Sequence, residues 1–427
     1  MKFEQLLKNL KKEVKGITCD SREIKKDYLF VAYKGINQDG HKFIEQARKK
    51  GAKIIIGETR NCDIQVQDGR EALALIAANW YENPAKKLKL IAITGTNGKT
   101  STAKMLAKIL NAAYIGTIGY NYKNIKFPAR ETTPDAITLH KILRKFLDAG
   151  AKYIVIETTS QGLAQKRLFG LNFEIGIFTN FTQDHLDYHK NMADYFKAKQ
   201  ILFDQSKIAV LNKDDKASTK FKHRKILWYN KANLKLKMMG EFNQYNAGAA
   251  LAVANLLRIP QEFSKKILAK ITVPGRFEPV GDRVVVDYAH TPDALENLLK
   301  NARKITKQKL ICVFGCGGDR DKTKRPIMGR IATKLCDYII ITSDNPRTEK
   351  PKKIIQDIVS GITKNANFEI IENRAKAIEK AIKISEKGDL VVIAGKGHED
   401  YQIIGNKKYK FDDREQANNI LTRLGIR

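Results

Sequence analysis

Long hydrophobic runs are missing from this 427-residue sequence. No stretch approaches the ~18 consecutive apolar residues that a spanning helix requires, so no membrane span is expected. The opening MKFEQLLKNLKKEVKG lacks the apolar centre and small-residue cleavage site of a secretory leader and reads as an amphipathic helix. Cysteine is scarce. Cys19, Cys62, Cys312, Cys316 and Cys336 are odd in number and scattered, and no histidine lies at ligand spacing, although Cys312 and Cys316 are four apart. That pattern excludes a disulfide framework or a zinc module and fits a reducing, cytoplasmic setting. Arginine-rich blocks and basic strips interleaved with aromatics are also absent, despite a net charge of +32. The excess is mostly lysine spread along the chain, so no nucleic-acid partner is expected, and an acidic small substrate is compatible with it. There is no internal repeat or low-complexity tract.

What remains is a globular composition, 43% hydrophobic and 29% charged. The length exceeds one core of usual size, and the alternation of elements divides it in three. Short apolar runs, YLFVAY, AKIIIG and CDIQVQ, alternate with polar helical stretches and predict a small α/β unit over residues 1–88. LKLIAITG, AKYIVIET, FEIGIFTN and KIAVLN alternate with helices over 89–272 and predict a doubly wound, parallel sheet. The pattern breaks at Pro274-Gly275, and RVVVDYA, KLICVFGCGG, DYIIITSD, FEIIEN and DLVVIAGKG predict a third, Rossmann-like unit over 273–427. The fold class is therefore α/β in three domains.

Gly95-Thr96-Asn97-Gly98-Lys99-Thr100-Ser101 joins a buried strand to a helix. Such a turn presents backbone N–H groups and a helix N-terminus to an anion. Lys99 is expected to reach the terminal phosphates of a nucleoside triphosphate, and the Thr100 hydroxyl a magnesium ion. The full Walker pattern wants glycine where Ile93 stands, so the loop is a shortened variant. Glu157 ends the strand AKYIVIE at the edge where ligands of such sheets collect, a natural place for a magnesium carboxylate. After FEIGIFTN come Asp184, His185, Asp187 and His189. Most of these read as solvated loop charges, with one of the two histidines a metal candidate.

These pieces, in this order, resemble the Mur ligases, ATP-dependent amide-forming enzymes of peptidoglycan synthesis, and within them the branch that adds the third peptide residue. The likeness runs nearly end to end. It is carried by DSR (20–22), LFVAYKG, DGHKFI, TGTNGKTS, TTPD (132–135), FTQDHLDYH, Ala198-Lys199, PGRFE, VVDYAHTPDAL, GCGGDRDKTKRP, SDNPR and AGKGHEDYQ. The segment usually reading Ser-Ser-His-Gly is here Thr159-Ser160-Gln161-Gly162, so a histidine of relatives is replaced by Gln161.

The resemblance implies site residues for each substrate. Ser21, Arg22 and His41 would surround a UDP moiety, and Thr132, Thr133, Thr159, Gln165 and Arg167 the muramoyl sugar and its peptide. Asn246, Arg276, Asp287, Tyr288 and His290 would join the loop around ATP. Two magnesium ions would be held by Thr100, Glu157, His185 and a carbamylated Lys199. By its residues alone, Lys199 in YFKAKQILF reads as a helix-surface lysine. Lys99, Glu157, His185 and Lys199 would carry catalysis: the γ-carboxylate of D-glutamate attacks the γ-phosphoryl, and an amine displaces phosphate from the acyl phosphate. Arg320, Asp344, Asn345, Arg347, Gly395 and Glu399 would hold the incoming amino acid. DNPR points to meso-diaminopimelate, because Arg347 can grip a distal carboxylate that lysine lacks. The implied partners are UDP-MurNAc-L-Ala-D-Glu and meso-diaminopimelate, with the chain a monomer. An L-lysine-adding homologue and a folylpolyglutamate synthase-like ligase are the enzyme alternatives. A P-loop switch or nucleic-acid ATPase is the alternative of another class, with Asn212-Lys213-Asp214-Asp215 as its nearest guanine-reading element.

Overall fold

The computed structural model describes residues 2–35, 38–238 and 240–426. Strands β1 (Gly16–Thr18), β2 (Tyr28–Val31), β3 (Ala52–Gly57) and β4 (Ile64–Gln65) form a four-stranded parallel sheet in sequential order. Successive side chains of a strand point to opposite faces. Leu29 and Val31 accordingly pack under helices Phe3–Glu13 and Gly69–Trp80, while Phe30 packs on the other face with Ile44 of helix Ile44–Lys49.

The second sheet comprises β5 (Lys89–Thr94), β6 (Ala113–Gly116), β7 (Gly119–Tyr122), β8 (Ile125–Phe127), β9 (Tyr153–Glu157), β10 (Phe173–Phe178), β11 (Ser206–Asn212) and β12 (Ile226–Tyr229). Its order is β12-β11-β10-β5-β9-β6-β7-β8. The six strands from β12 to β6 are parallel, and the inner ones, β10, β5, β9 and β6 with most of β11, are buried on both faces, which explains their unbroken apolar runs. The sheet is not wholly parallel as expected. Lys123 takes a left-handed conformation (φ 51°) and folds β7 and β8 into an antiparallel hairpin on one edge. The chain fills one side of β5 with β6 and β9, then crosses to β10 on the other. The carboxyl ends of β5, β9 and β10 thus flank a switch point, the ligand-binding edge of doubly wound sheets.

The third sheet contains β13 (Glu278–Val280), β14 (Val284–Asp287), β15 (Leu310–Phe314), β16 (Tyr338–Ile341), β17 (Phe368–Ile370) and β18 (Leu390–Ala394), ordered β13-β14-β18-β15-β16-β17 and parallel except for β13. A small hairpin, β19 (Tyr401–Ile404) and β20 (Lys407–Lys410), lies against Arg347 through a bridge to Ile404. Among the described residues no helix is long and apolar enough to cross a membrane. The second and third sheets face each other across a seam bridged by Asn97 to Asp293 (2.9 Å) and Gln183 to Thr323 (3.0 Å).

Candidate active site

The turn after β5 adopts backbone angles that favour glycine at two points, Gly95 (φ 151°) and Gly98 (φ 82°). Gly98 begins helix Lys99–Leu110, and a Cβ there would lie 2.4 Å from Asn246 Oδ1. The loop is tethered to the end of β10: Thr96 N donates to Asn180 O (2.9 Å), Asn97 N to Asn180 Oδ1 (2.8 Å), and Thr179 Oγ1 to Asn97 O (2.6 Å). Lys99 curls over the loop and donates to the carbonyls of Gly95 (3.0 Å) and Thr96 (2.8 Å). Burial lowers its pKa against the opposing pull of Glu157 and Asp184. Ser101 is buried in the first turn of the same helix.

Glu157 ends β9 with no exposed surface. Its carboxylate accepts from Thr100 Oγ1 (2.8 Å), Thr117 Oγ1 (3.0 Å), Thr117 N (3.1 Å) and the Tyr114 hydroxyl. Arg276, from the segment leading into the third sheet, reaches Thr100 Oγ1 across the seam (3.3 Å). A hydroxyl and a carboxylate oxygen are thus adjacent beside Lys99 and Arg276. Among the described residues no three His, Cys, Asp or Glu side chains gather as a metal cage. The hard oxygens of Thr100 and Glu157 fit magnesium, which binds through one or two protein oxygens and completes its shell from phosphates and water.

Most of Asp184, His185, Asp187 and His189 were expected as solvated loop charges, but Asp184 is buried beside Lys324 of the third unit, and His189 is buried against Ser160 and Tyr195. Lys324 lies 3.8 Å from Asp184, and Gln183 reaches Asp321 and Thr323. Burial opposes ionisation of Asp184, yet His185, Lys324 and His290 together hold its carboxyl well below the usual range. His185 (φ 56°) contacts Asp184 through its backbone N–H (2.9 Å) and ring (3.3 Å). Burial pushes its pKa down to about 3, so the ring is neutral and able to ligate. His185 lines the main cavity, whereas His189 bonds Ser160 Oγ (2.9 Å) in the wall behind.

Lys199 corrects a second expectation. It is 1% exposed, on helix Met192–Asp204, rather than on the helix surface. Its Nζ rests over the Tyr195 ring (4.2 Å), and among the described residues no carboxylate lies within ion-pair distance of it. Burial, and then Lys99, lower its pKa well below that of a free lysine.

Lys99, Thr100, Glu157, Asp184, His185 and Arg276 face a cavity of about 760 Å³ that runs along the seam; Thr132 and Thr159 also line it, and Lys199 does not. Asn246 is fixed by Thr102 (3.1 Å) and Asn243 (3.0 Å) against the loop. Asp287 spends both oxygens on the backbone N–H groups of Phe277 (2.6 Å) and Ala289 (2.8 Å), bracing the turn that carries Arg276. Tyr288 lies under the Arg276 guanidinium (4.5 Å) and beside His290 (4.6 Å), whose pKa burial lowers to about 4. Two residues that sequence reading missed hold this arrangement. Asn180 carried a signal, as a polar residue at the end of a buried strand. Thr117 carried none.

Thr133 and Thr159 bond each other (3.1 Å), and Thr133 also donates to Glu157 O (2.9 Å). Gln165 accepts from Arg167 (2.7 Å), and both line a second cavity of about 210 Å³ with Tyr33 and Arg70 of the first unit. Ser21, Arg22 and His41 line neither cavity. Arg22 is paired to Asp20 (2.6 Å), Ser21 O accepts from Lys50 (2.7 Å), and His41 bonds Asp39 (2.7 Å) and the Glu58 N–H (3.0 Å).

The residues expected around an amino acid collect beyond β16 and β18. Asn345 donates to Glu399 (2.8 Å), Arg347 donates to Gly318 O (2.8 Å), and Asp344 Oδ2 lies where a Cβ on Gly395 (φ 117°) would fall (2.6 Å). Arg320 stands apart, half exposed and 3.9 Å from Asp187 across the seam. Lys396, fully buried among Asp344, Asn345 and Glu399, was not singled out from the sequence.

The chain matches three family descriptions in order: "Mur ligase family, catalytic domain" over residues 13–81, "Mur ligase middle domain" over 93–229, and "Mur ligase, glutamate ligase domain" over 275–397. It is 43% identical to a UDP-N-acetylmuramoyl-L-alanyl-D-glutamate--2,6-diaminopimelate ligase of Clostridium tetani, covering 99% of this chain and 100% of that one. The chain belongs to the Mur ligase family. A second relative of the same name in this family, from Aquifex aeolicus, is 44% identical over 96% of this chain and 94% of its own. Among solved structures of Mur ligases, one of a UDP-N-acetylmuramoyl-L-alanyl-D-glutamate--2,6-diaminopimelate ligase has a TM-score of 0.65 at 32% identity, covering 97% of this chain and 96% of that one. A folylpolyglutamate synthase from Mycobacterium tuberculosis shares the fold, with a TM-score of 0.64 at 17% identity over 76% of this chain and 92% of that one.

Proposed function

We propose that this Mur ligase uses ATP to join meso-2,6-diaminopimelate to the D-glutamate γ-carboxylate of UDP-N-acetylmuramoyl-L-alanyl-D-glutamate. The observation that carries the reading is the Thr100–Glu157 oxygen pair on the phosphate loop, bracketed by Lys99 and by Arg276 from across the seam. In this reading residues 1–88 take the uridine nucleotide, 89–272 take ATP and 273–427 bring the amino acid, and the enzyme works as a monomer in the cytoplasm.

A carboxylate does not condense with an amine at neutral pH, because oxide is too poor a leaving group. Phosphorylation supplies a better one. The loop N–H groups and Lys99 hold the triphosphate, while Arg276 faces the charge that develops as the phosphoryl group transfers. Thr132 and Thr159 keep the acceptor carboxylate in line at the cavity wall, with buried Thr133 bracing Thr159. Magnesium, when bound at Thr100–Glu157 and beside His185, neutralises phosphate charge. The lowered pKa of the buried Lys199 amine favours its attack on carbon dioxide with loss of a proton. The resulting carbamate would be an anion with two oxygens, suited to hold a second metal ion. Asp344, Asn345, Arg347, Gly395 and Glu399 then present the amine, with Arg320 on its α-carboxylate.

The test is phosphate release from ATP with each substrate omitted in turn. Release only when both UDP-MurNAc-L-Ala-D-Glu and diaminopimelate are present is expected. Release stimulated by RNA or DNA and indifferent to those two compounds would overturn the reading.

A further inference from the structure

Lys396 is among the largest side chains with no exposed surface in the structure. Its Nζ donates to Asn345 Oδ1 (3.1 Å) and Glu399 Oε2 (3.1 Å) and lies 3.7 Å from Asp344 Oδ1. Those bonds fix the orientation of the neighbours. Asn345 Oδ1 also accepts from Ile403 N (2.9 Å), so its amide nitrogen is turned onto Glu399 Oε2 (2.8 Å). Glu399 Oε2 is therefore used twice. Among the described residues, Oε1 has only a long contact to the Tyr401 hydroxyl (3.4 Å), and the side chain remains 13% exposed. A carboxylate with one oxygen tied down and the other open is a directed acceptor for an ammonium ion.

Charge accounting gives the arrangement a second consequence. Asp344 and Glu399 contribute two negative charges and Lys396 and Arg347 two positive ones, so the fixed charge of this corner is zero. A second amino-acid centre, zwitterionic and net neutral, matches such a site: its ammonium meets Glu399 and its carboxylate Arg347. Without the Lys396 side chain the corner becomes net negative, which favours a distal end bearing only an ammonium.

We propose that Lys396 is a positioning residue that sets acceptor selectivity, by turning one oxygen of Glu399 toward the ligand and by cancelling the charge of Asp344. This rests on the ligase reading above. It concerns a residue that need not touch the substrate. Its effect belongs in KM and in the choice between acceptors rather than in phosphoryl transfer.

The experiment compares kcat/KM for meso-diaminopimelate and for L-lysine, with ATP, magnesium and UDP-MurNAc-L-Ala-D-Glu saturating, in the wild-type enzyme and in Lys396→Met. The ratio favouring diaminopimelate is expected to fall by roughly tenfold or more, the scale of one unneutralised charge in a partly buried site. The fall should appear mainly as a raised KM for diaminopimelate, with the KM for ATP unchanged. The double variant Asp344→Asn/Lys396→Met restores a neutral corner and is expected to recover part of the preference. It also carries the test if the single variant does not fold. An unchanged ratio in a folded Lys396→Met, or a double variant that prefers lysine, overturns the proposal. A wild-type enzyme that turns over neither acceptor defeats the ligase reading instead, so the two failures are distinct.

Discussion

His140 lies on helix Ala136–Asp148, whose Leu139, Ile142, Leu143 and Phe146 pack against Ile154 and Ile156 of β9, the strand that delivers Glu157. It is 1% exposed, its Nδ1 has no hydrogen-bond partner among the described residues, and burial lowers its pKa from 6.5 to about 4. Below pH 4 both the folded and unfolded chains bind the proton, and the penalty against folding is complete at about 3 kcal/mol. At pH 5 it is about 2 kcal/mol, and above pH 6.5 it vanishes, because the unfolded chain no longer binds the extra proton. Replacing His140 by Leu, which cannot titrate, should therefore stabilise the fold in acid and change little at pH 8. The assay is a series of thermal melts from pH 4 to pH 8, followed by far-UV circular dichroism. The gap between variant and wild type should widen steadily as pH falls. A gap that is constant with pH, or a variant less acid-resistant than wild type, would show that His140 is not held neutral by burial.

Gly98→Ala places a Cβ at φ 82° and 2.4 Å from Asn246 Oδ1. The left-handed strain alone is about 1–2 kcal/mol, so KM for ATP should rise roughly tenfold in steady-state kinetics. Lys199→Met keeps the volume of a buried side chain that has no carboxylate partner among the described residues, and removes the amine. The thermal midpoint should hold or rise, while kcat for ligation falls on the order of a hundredfold or more. Arg347→Ala should raise KM for diaminopimelate about a hundredfold, leaving the KM for ATP intact, because a bidentate charge-assisted contact is lost. Equal changes in both KM values would refute its role in acceptor binding.

The strand-loop-helix at Gly95 to Ser101 was legible because every instruction in it is local: a buried strand, two turn glycines and a helix start. Glu157 was legible by position, at the carboxyl end of a strand. Lys199 was misread from the same kind of evidence. Tyr195, Ala198, Leu202 and Phe203 are buried with it, at the three- and four-residue spacing of one helix face, so the helical period had already placed this lysine inside. Residue type outweighed spacing in the reading, and spacing prevailed in the fold. The burial of Asp184 was not readable locally, because the cover comes from Lys324, 140 positions along the chain. Lys396 is the same case, hidden only once the loops after β16 and β18 meet.

The bond from Asn97 to Asp293 has a thermodynamic consequence. One end belongs to the loop that receives the triphosphate, and the other to helix Pro292–Ile305 of the third unit. A nucleotide that alters this bond changes the free energy of seating the third unit, and whatever seats that unit changes nucleotide affinity by the same factor. Nucleotide titrations with and without the amino-acid acceptor should therefore close a thermodynamic square. Its coupling free energy is a property of the seam and of neither pocket alone.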